Sequence, residues 1–160
     1  MRIGITGHRG LDEPLRRQVT ALLVQALDTY DDSGLEAVTC LADGPDTWLA
    51  DLVVERGGRL IVVVPATDYR EGLPLWHRDA YDRLLARAAE VHRTGLADST
   101  AQAHMAAGEI LVGHCDVLLA VWDGQPARGL GGTADVVAHA DRAGVKVQVL
   151  WPDGASRPAA

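Results

Sequence analysis

Three short stretches concentrate residues able to hold or transform an anion. The first is "GHRG", Gly7 to Gly10. A guanidinium such as that of Arg9 clamps a phosphate or carboxylate through two parallel hydrogen bonds. His8 either donates a hydrogen bond or caps a turn, and Gly7 lets the backbone approach a ligand closely. The second is "WDGQPARGLGGTADVVAHA", residues 122–140. Here Gly129, Gly131 and Gly132 can expose successive backbone N–H groups, and Thr133 adds a hydroxyl at a helix start, where the dipole favours an anion. Asp123 and Gly124 open the same loop. The spacing is neither a Walker sequence nor GxGxxG. The third is "LADGPDTWLADL", residues 41–52, where Asp43 beside Gly44 can accept from ribose hydroxyls and Asp46 reads as a helix cap. The competing readings are a plain strand–turn–helix for the first stretch, a flexible loop for the second and simple capping for the third.

The elements that must position these residues are legible in the hydropathy pattern. Short β-branched apolar runs recur at Ile3–Thr6, Ala37–Ala42, Leu60–Val64, Val117–Trp122 and Val145–Leu150. Strands covered by helices on both faces read this way. Between them lie amphipathic segments. The first is capped by Asp12 with Pro14 in its first turn, and its apolar face runs from Leu15 to Leu27. Further helices are expected over about 46–56, 75–89 and 100–114, and from the glycine-rich loop to about 142, with a short extra strand at 90–93. This alternation predicts a Rossmann-like, three-layer α/β/α domain with a mainly parallel sheet over residues 1–152, and a disordered tail over 153–160. Such sheets bind ligands beyond the carboxyl ends of their strands. The strand-to-helix loops are therefore the place to look. Pro65 ends the third strand at that edge, and Asp68 to Arg70 read as a rim or, more plainly, a surface loop. On the fourth helix Glu109 interrupts an apolar face. It either points a carboxylate into the site or faces solvent.

Composition narrows the classes. The chain has 160 residues, 48% of them hydrophobic, with no Phe. That suffices for one domain with a core of Val, Leu, Ile and Ala. The formal net charge is −7. An acidic balance disfavours a broad nucleic-acid footprint, so nucleic acid is not expected as a partner, while a small phosphorylated ligand needs only local donors. Cys40 and Cys115 sit far apart in apolar stretches and read as buried thiols. Nothing has metal-ligand spacing, and no cofactor is indicated. No run reaches membrane-span length, and the start resembles a strand rather than a signal peptide. No membrane association is expected, and a cytoplasmic location is.

The motifs resemble the SLOG superfamily, the Rossmann-like group that contains the LOG cytokinin-activating phosphoribohydrolases and the DNA-processing protein DprA. The resemblance rests on "GITGHRG", on "ADGPDTWLA" and on "CDVLLAVWDG…GLGGTADVV", and covers nearly the whole chain. It implies a nucleotide-like small molecule with its phosphate on Gly129 to Thr133, and a homodimer or higher homo-oligomer. The LOG pattern places a glutamate three residues after the threonine, where this chain has Val136, and an arginine on the preceding helix, where "TAQAHMAAGEILVGH" has none. Asp135 is one residue earlier, about 100° around the helix. The same unit is similar to that of nucleoside deoxyribosyltransferases, whose acidic residue after the Gly-Thr also falls on Val136.

Two functions follow. One is a binding or sensing protein for a nucleotide or nucleotide-derived ligand. The alternative is an N-glycosidase of nucleoside 5′-monophosphates, phosphoribohydrolase or deoxyribosyltransferase-like. That chemistry needs a carboxylate beside the anomeric carbon to stabilise an oxocarbenium-like transition state. Its candidates are Glu109, Asp123 and Asp135.

Overall fold

The computed structural model describes residues 1–158. Strands and helices alternate along the chain: β1 (Arg2–Gly7), α1 (Glu13–Leu27), β2 (Glu36–Thr39), α2 (Pro45–Glu55), β3 (Arg59–Val64), α3 (Tyr69–Gly72), α4 (Arg78–Leu85), β4 (Ala88–Arg93), α5 (Ala101–His114), β5 (Val117–Val121), α6 (Thr133–Arg142) and β6 (Lys146–Val149). The strands form one sheet in the order β4-β3-β2-β1-β5-β6. Every pairing is parallel. Among the described residues, no helix is long and apolar enough to cross a membrane.

Strand alternation divides the core into two layers. Ile3, Ile5, Ala37, Val62 and Leu119 join a cluster with α1 and α2, while Val38, Ile61, Val63 and Leu118 join a second cluster with α5 and α6. Adjacent strand residues point to opposite faces, so a sheet covered on both sides needs apolar residues at every position. That is why the runs are continuous rather than alternating.

Three elements differ from the sequence reading. The helix expected over 75–89 is a 3-10 turn at Leu75–His77 followed by α4, and the chain is a strand again from Ala88. The rim expected as a surface loop contains α3, with Tyr69 and Leu73 both 3% exposed. Burying those two side chains holds the segment down. β2 stops at Thr39, because the Leu41 N–H goes to the Thr39 hydroxyl (3.0 Å) instead of a neighbouring strand. Leu41 itself has a φ of +57°, which turns the chain off the sheet edge.

The tail expected as disordered is docked over residues 153–158. The Trp151 indole donates to the Ala155 carbonyl (3.0 Å), and Arg128 Nη1 donates to that of Pro158 (3.1 Å). The last two residues of the expected tail, 159–160, lie outside the described residues.

Close packing fixes several glycines, and two of them make opposite predictions. A Cβ on Gly58 would lie 2.7 Å from the Leu35 carbonyl oxygen and 2.6 Å from Val53 Cγ1. Gly113, inside α5, has nothing within 4 Å of that position. Gly58→Ala will destabilise the domain by about 1–3 kcal/mol. Gly113→Ala will stabilise it by about 0.5–1 kcal/mol through helix propensity. Chemical denaturation of the two variants against the parent checks both signs.

Candidate functional site

Strand order reverses beside β1. The last link between β1 and β5 is the His8 N–H donating to the Val121 carbonyl (3.1 Å). Beyond it one chain leads to α1 and the other into the glycine-rich loop, and a cavity of about 370 Å³ opens between them. Thr6 to Arg9, Cys40, Asp46, Pro65 and Tyr69 line one side, and residues 127–133 with Arg157 line the other, His104 of α5 lying against Gly131. It is the crevice at the carboxyl edge that an open parallel sheet offers.

The glycine-rich wall is built differently from the cradle expected of it. The Gly131 N–H is already taken: it donates to Asp135 Oδ2 at 3.0 Å. The Gly132 N–H donates to the Gly129 carbonyl (3.3 Å). The open donors lie one step on. Among the described residues, the N–H groups of Thr133 and Ala134 have no acceptor, as expected for the first turn of a helix. The Thr133 hydroxyl is likewise without a partner among the described residues; the residue is only 7% exposed, and its oxygen stays open to the cavity that Thr133 lines. Gly131 has a φ of +82°, and a Cβ there would lie 3.0 Å from both the Ala101 carbonyl and the Met105 nitrogen, so the loop is pressed onto the start of α5.

The opposite wall begins at the tip of β1. The Arg9 Nε donates to Asp43 Oδ1 (2.8 Å), and Asp43 is 7% exposed. The guanidinium is therefore held in place, facing the cavity with Nη1 unpartnered among the described residues. Gly7 is a glycine for packing: a Cβ would meet Pro45 at 2.9 Å and Val121 at 3.0 Å. His8 is a buried tie. Its Nε2 lies 3.1 Å from Asp123 Oδ1 and 3.2 Å from the Asp123 backbone nitrogen, and its ring stands edge-on to Trp151. Burial lowers its pKa, against the hydrogen bond to Asp123.

Several sequence candidates fall outside the cavity. Asp43 and Gly44 face a second cavity between α1, α2 and α4. Gly124 does not line the site, and Glu109 is on the exposed side of α5. Asp123 and Asp135 are engaged by His8, the Gln125 N–H and the Gly131 N–H. None of the three carboxylates considered for glycosidic chemistry lines the cavity. Val136, at the position of the LOG glutamate, is 5% exposed and packs against Gly108, where an added Cβ would lie 2.9 Å from its Cγ2.

One carboxylate does line it. Asp46 enters from the first turn of α2, and its Oδ2 accepts from the Ala42 N–H (3.2 Å). Its Oδ1 has no hydrogen-bond partner among the described residues. Burial pushes this carboxyl up to about 7, against the pull of the Ala42 N–H and Arg9, with Asp43 adding to the rise. Cys40 beside it is half-buried, and burial together with Asp46 pushes its thiol up as well. Both cysteines are free. A helix cap and a pocket carboxylate look alike in sequence, so nothing there marks Asp46. Arg128 lies within the quoted loop and was legible as a cation beside glycines, whereas Arg157 was not.

No family model matches the chain, and neither does any curated protein. Solved structures do. DprA from Streptococcus pneumoniae superposes with a TM-score of 0.68 at 19% identity, over 92% of this chain and 49% of that one. DprA from Helicobacter pylori, described by its single-stranded DNA binding mode, gives 0.65 at 14%, over 93% and 64%. The molybdenum cofactor binding protein of Rippkaea orientalis gives 0.61 at 22%, over 95% and 77%. The chain thus spans about half the length of the first of these. At such identities the likeness is one of fold, and it is the Rossmann-like fold that the SLOG resemblance implies, DprA being one of the proteins on which that resemblance rests. It also corrects the expectation against nucleic acid. A single-stranded DNA-binding protein uses this fold, and net acidity is a property of the whole chain, whereas Arg9, Arg128 and Arg157 gather at one crevice.

The raised Asp46 carboxyl makes folding pH-dependent. The unfolded carboxyl ionises at 3.8, and the folded one at about 7. The folded state therefore loses stability as pH rises from about 4 to about 7, and the loss then levels off. Asp46→Asn will match the parent in thermal stability below pH 4 and exceed it at pH 8, by up to about 4 kcal/mol. Melting curves across this range read the crossover.

Proposed function

We propose that the crevice binds a nucleotide or nucleotide-derived ligand, with a phosphate on the N-terminus of α6. The observation that carries this reading is the unpartnered Thr133 hydroxyl, open to the cavity beside the free N–H groups of Thr133 and Ala134. A helix N-terminus with a hydroxyl and backbone donors converging on a cavity suits a phosphate oxygen by geometry and by dipole. Arg9, held by Asp43, supplies a charged donor from across the cavity. The walls between them are apolar or aromatic in part, with Ile5, Tyr69, Leu111 and Val136 available to a base.

Hydrolysis of an N-glycosidic bond would need a carboxylate at the anomeric carbon, and Asp46 is the one on the cavity wall among the described residues. A sensor needs none. Both readings predict binding, and only the second predicts free base.

Titration with the four common ribonucleoside monophosphates, followed calorimetrically and by chromatography for released base, separates them. We expect binding without base release. Thr133→Val, which removes the hydroxyl and keeps the shape, will weaken binding about tenfold. Unchanged affinity in that variant removes the phosphate from α6, and base released in a manner abolished by Asp46→Asn turns the protein into a hydrolase. Arg9→Ala will weaken binding too. It also strips the partner from buried Asp43 and lowers stability by about 1.5–3 kcal/mol, so its melting curve must be read beside its affinity.

A further inference from the structure

Two arginines on this crevice lack an anionic partner. Arg128 belongs to the loop after β5 and Arg157 to the segment after β6, and both line the cavity beside the start of α6. Among the described residues neither has a carboxylate within ion-pair distance, whereas Arg9, across the cavity, is paired with Asp43. The facing carboxylate, Asp123, is occupied by His8 and the Gln125 N–H. The segments that carry them are tied to each other. Arg128 donates to the Pro158 carbonyl next to Arg157 (3.1 Å), and the Trp151–Ala155 hydrogen bond closes the segment that carries it. Burial, and after it the charge of Arg128, lowers the Arg157 pKa, against the attraction of Asp123.

Two guanidinium groups on the lining of one cavity, neither within ion-pair distance of a carboxylate among the described residues, favour an anion there. The open donors of α6 form a second anion site on the same wall, centred on Thr133. The cavity, at about 370 Å³, has room for more than one phosphate group. We propose that the ligand carries two linked anionic groups, one on the N-terminus of α6 and one on the Arg128–Arg157 pair, making a nucleoside diphosphate the preferred class over a monophosphate. This rests on the phosphate reading of α6 given above. The segment after β6 is then part of the binding site, a discriminating wall that carries Arg157.

The test uses the full chain and calorimetry with inorganic phosphate, pyrophosphate, and the four common ribonucleosides as mono- and diphosphates. A diphosphate will bind about tenfold more tightly than its monophosphate. Arg157→Ala will collapse that ratio to near one, and Arg157→Lys will retain part of it, because a point charge replaces a fork. Equal affinities for mono- and diphosphates in the parent protein overturn the inference and leave the α6 site standing. So does an Arg157→Ala variant that weakens both classes equally. If no phosphorylated probe binds, both readings fall together. Tighter binding of a single-stranded oligothymidylate than of any free diphosphate also overturns it, since the arginine pair then follows the phosphates of a strand.

Discussion

Six parallel strands end at one edge, and the direction in which the chain adds strands reverses beside β1. Almost everything functional in this molecule depends on that constraint. Parallel strands deliver every strand-to-helix connection to the same side, so helix N-termini, with their unpaired N–H groups, accumulate there. Where the order reverses, the connections after β1 and β5 lead away from each other and leave a gap. The His8–Val121 hydrogen bond marks the point of divergence. The cavity is the space that no loop fills, and its polar character comes from the helix start and arginines that border it.

How charge is used around that gap matters more than how much there is. The chain is acidic overall, yet the acids nearest the crevice are largely spoken for. Asp43 holds Arg9, Asp123 faces His8, and Asp135 takes the Gly131 amide. Each satisfies a local donor, and none of the three lines the cavity. Arg128 and Arg157 are left without such partners, so the local field at the crevice opposes the net charge. Asp46 is the exception. Lodged on the cavity wall with one oxygen unpartnered, it meets the cost of burial by holding its proton up to about pH 7.

The glycines of the loop illustrate how one residue type serves different ends. In sequence, Gly7, Gly131 and Gly132 all read as backbone made available to a ligand. In the folded chain Gly7 admits Pro45 and Val121, and Gly131 presses against α5. Both are required by protein–protein packing inside the domain. The donors left for a ligand belong to Thr133 and Ala134. A similar substitution of roles occurs at Val136, where a side chain that packs against Gly108 stands at a position that a glutamate holds in the LOG pattern.

Sequence alone determined the architecture, because continuous apolar runs and capped amphipathic segments are local patterns with a single economical assembly. It also determined which sheet edge to inspect, and it picked out Arg9, Pro65 and Thr133 there. It misjudged α4, whose amphipathic period ran on into the edge strand β4, and α3, whose burial depends on partners distant in sequence. What only the tertiary structure decided is which polar groups remain free. Whether a carboxylate faces a ligand or a neighbouring amide depends on distances between segments far apart in the chain, such as His8 and Asp123 or Arg128 and Pro158. Composition and spacing name the donors and acceptors, but only the folded backbone says which of them have already found each other.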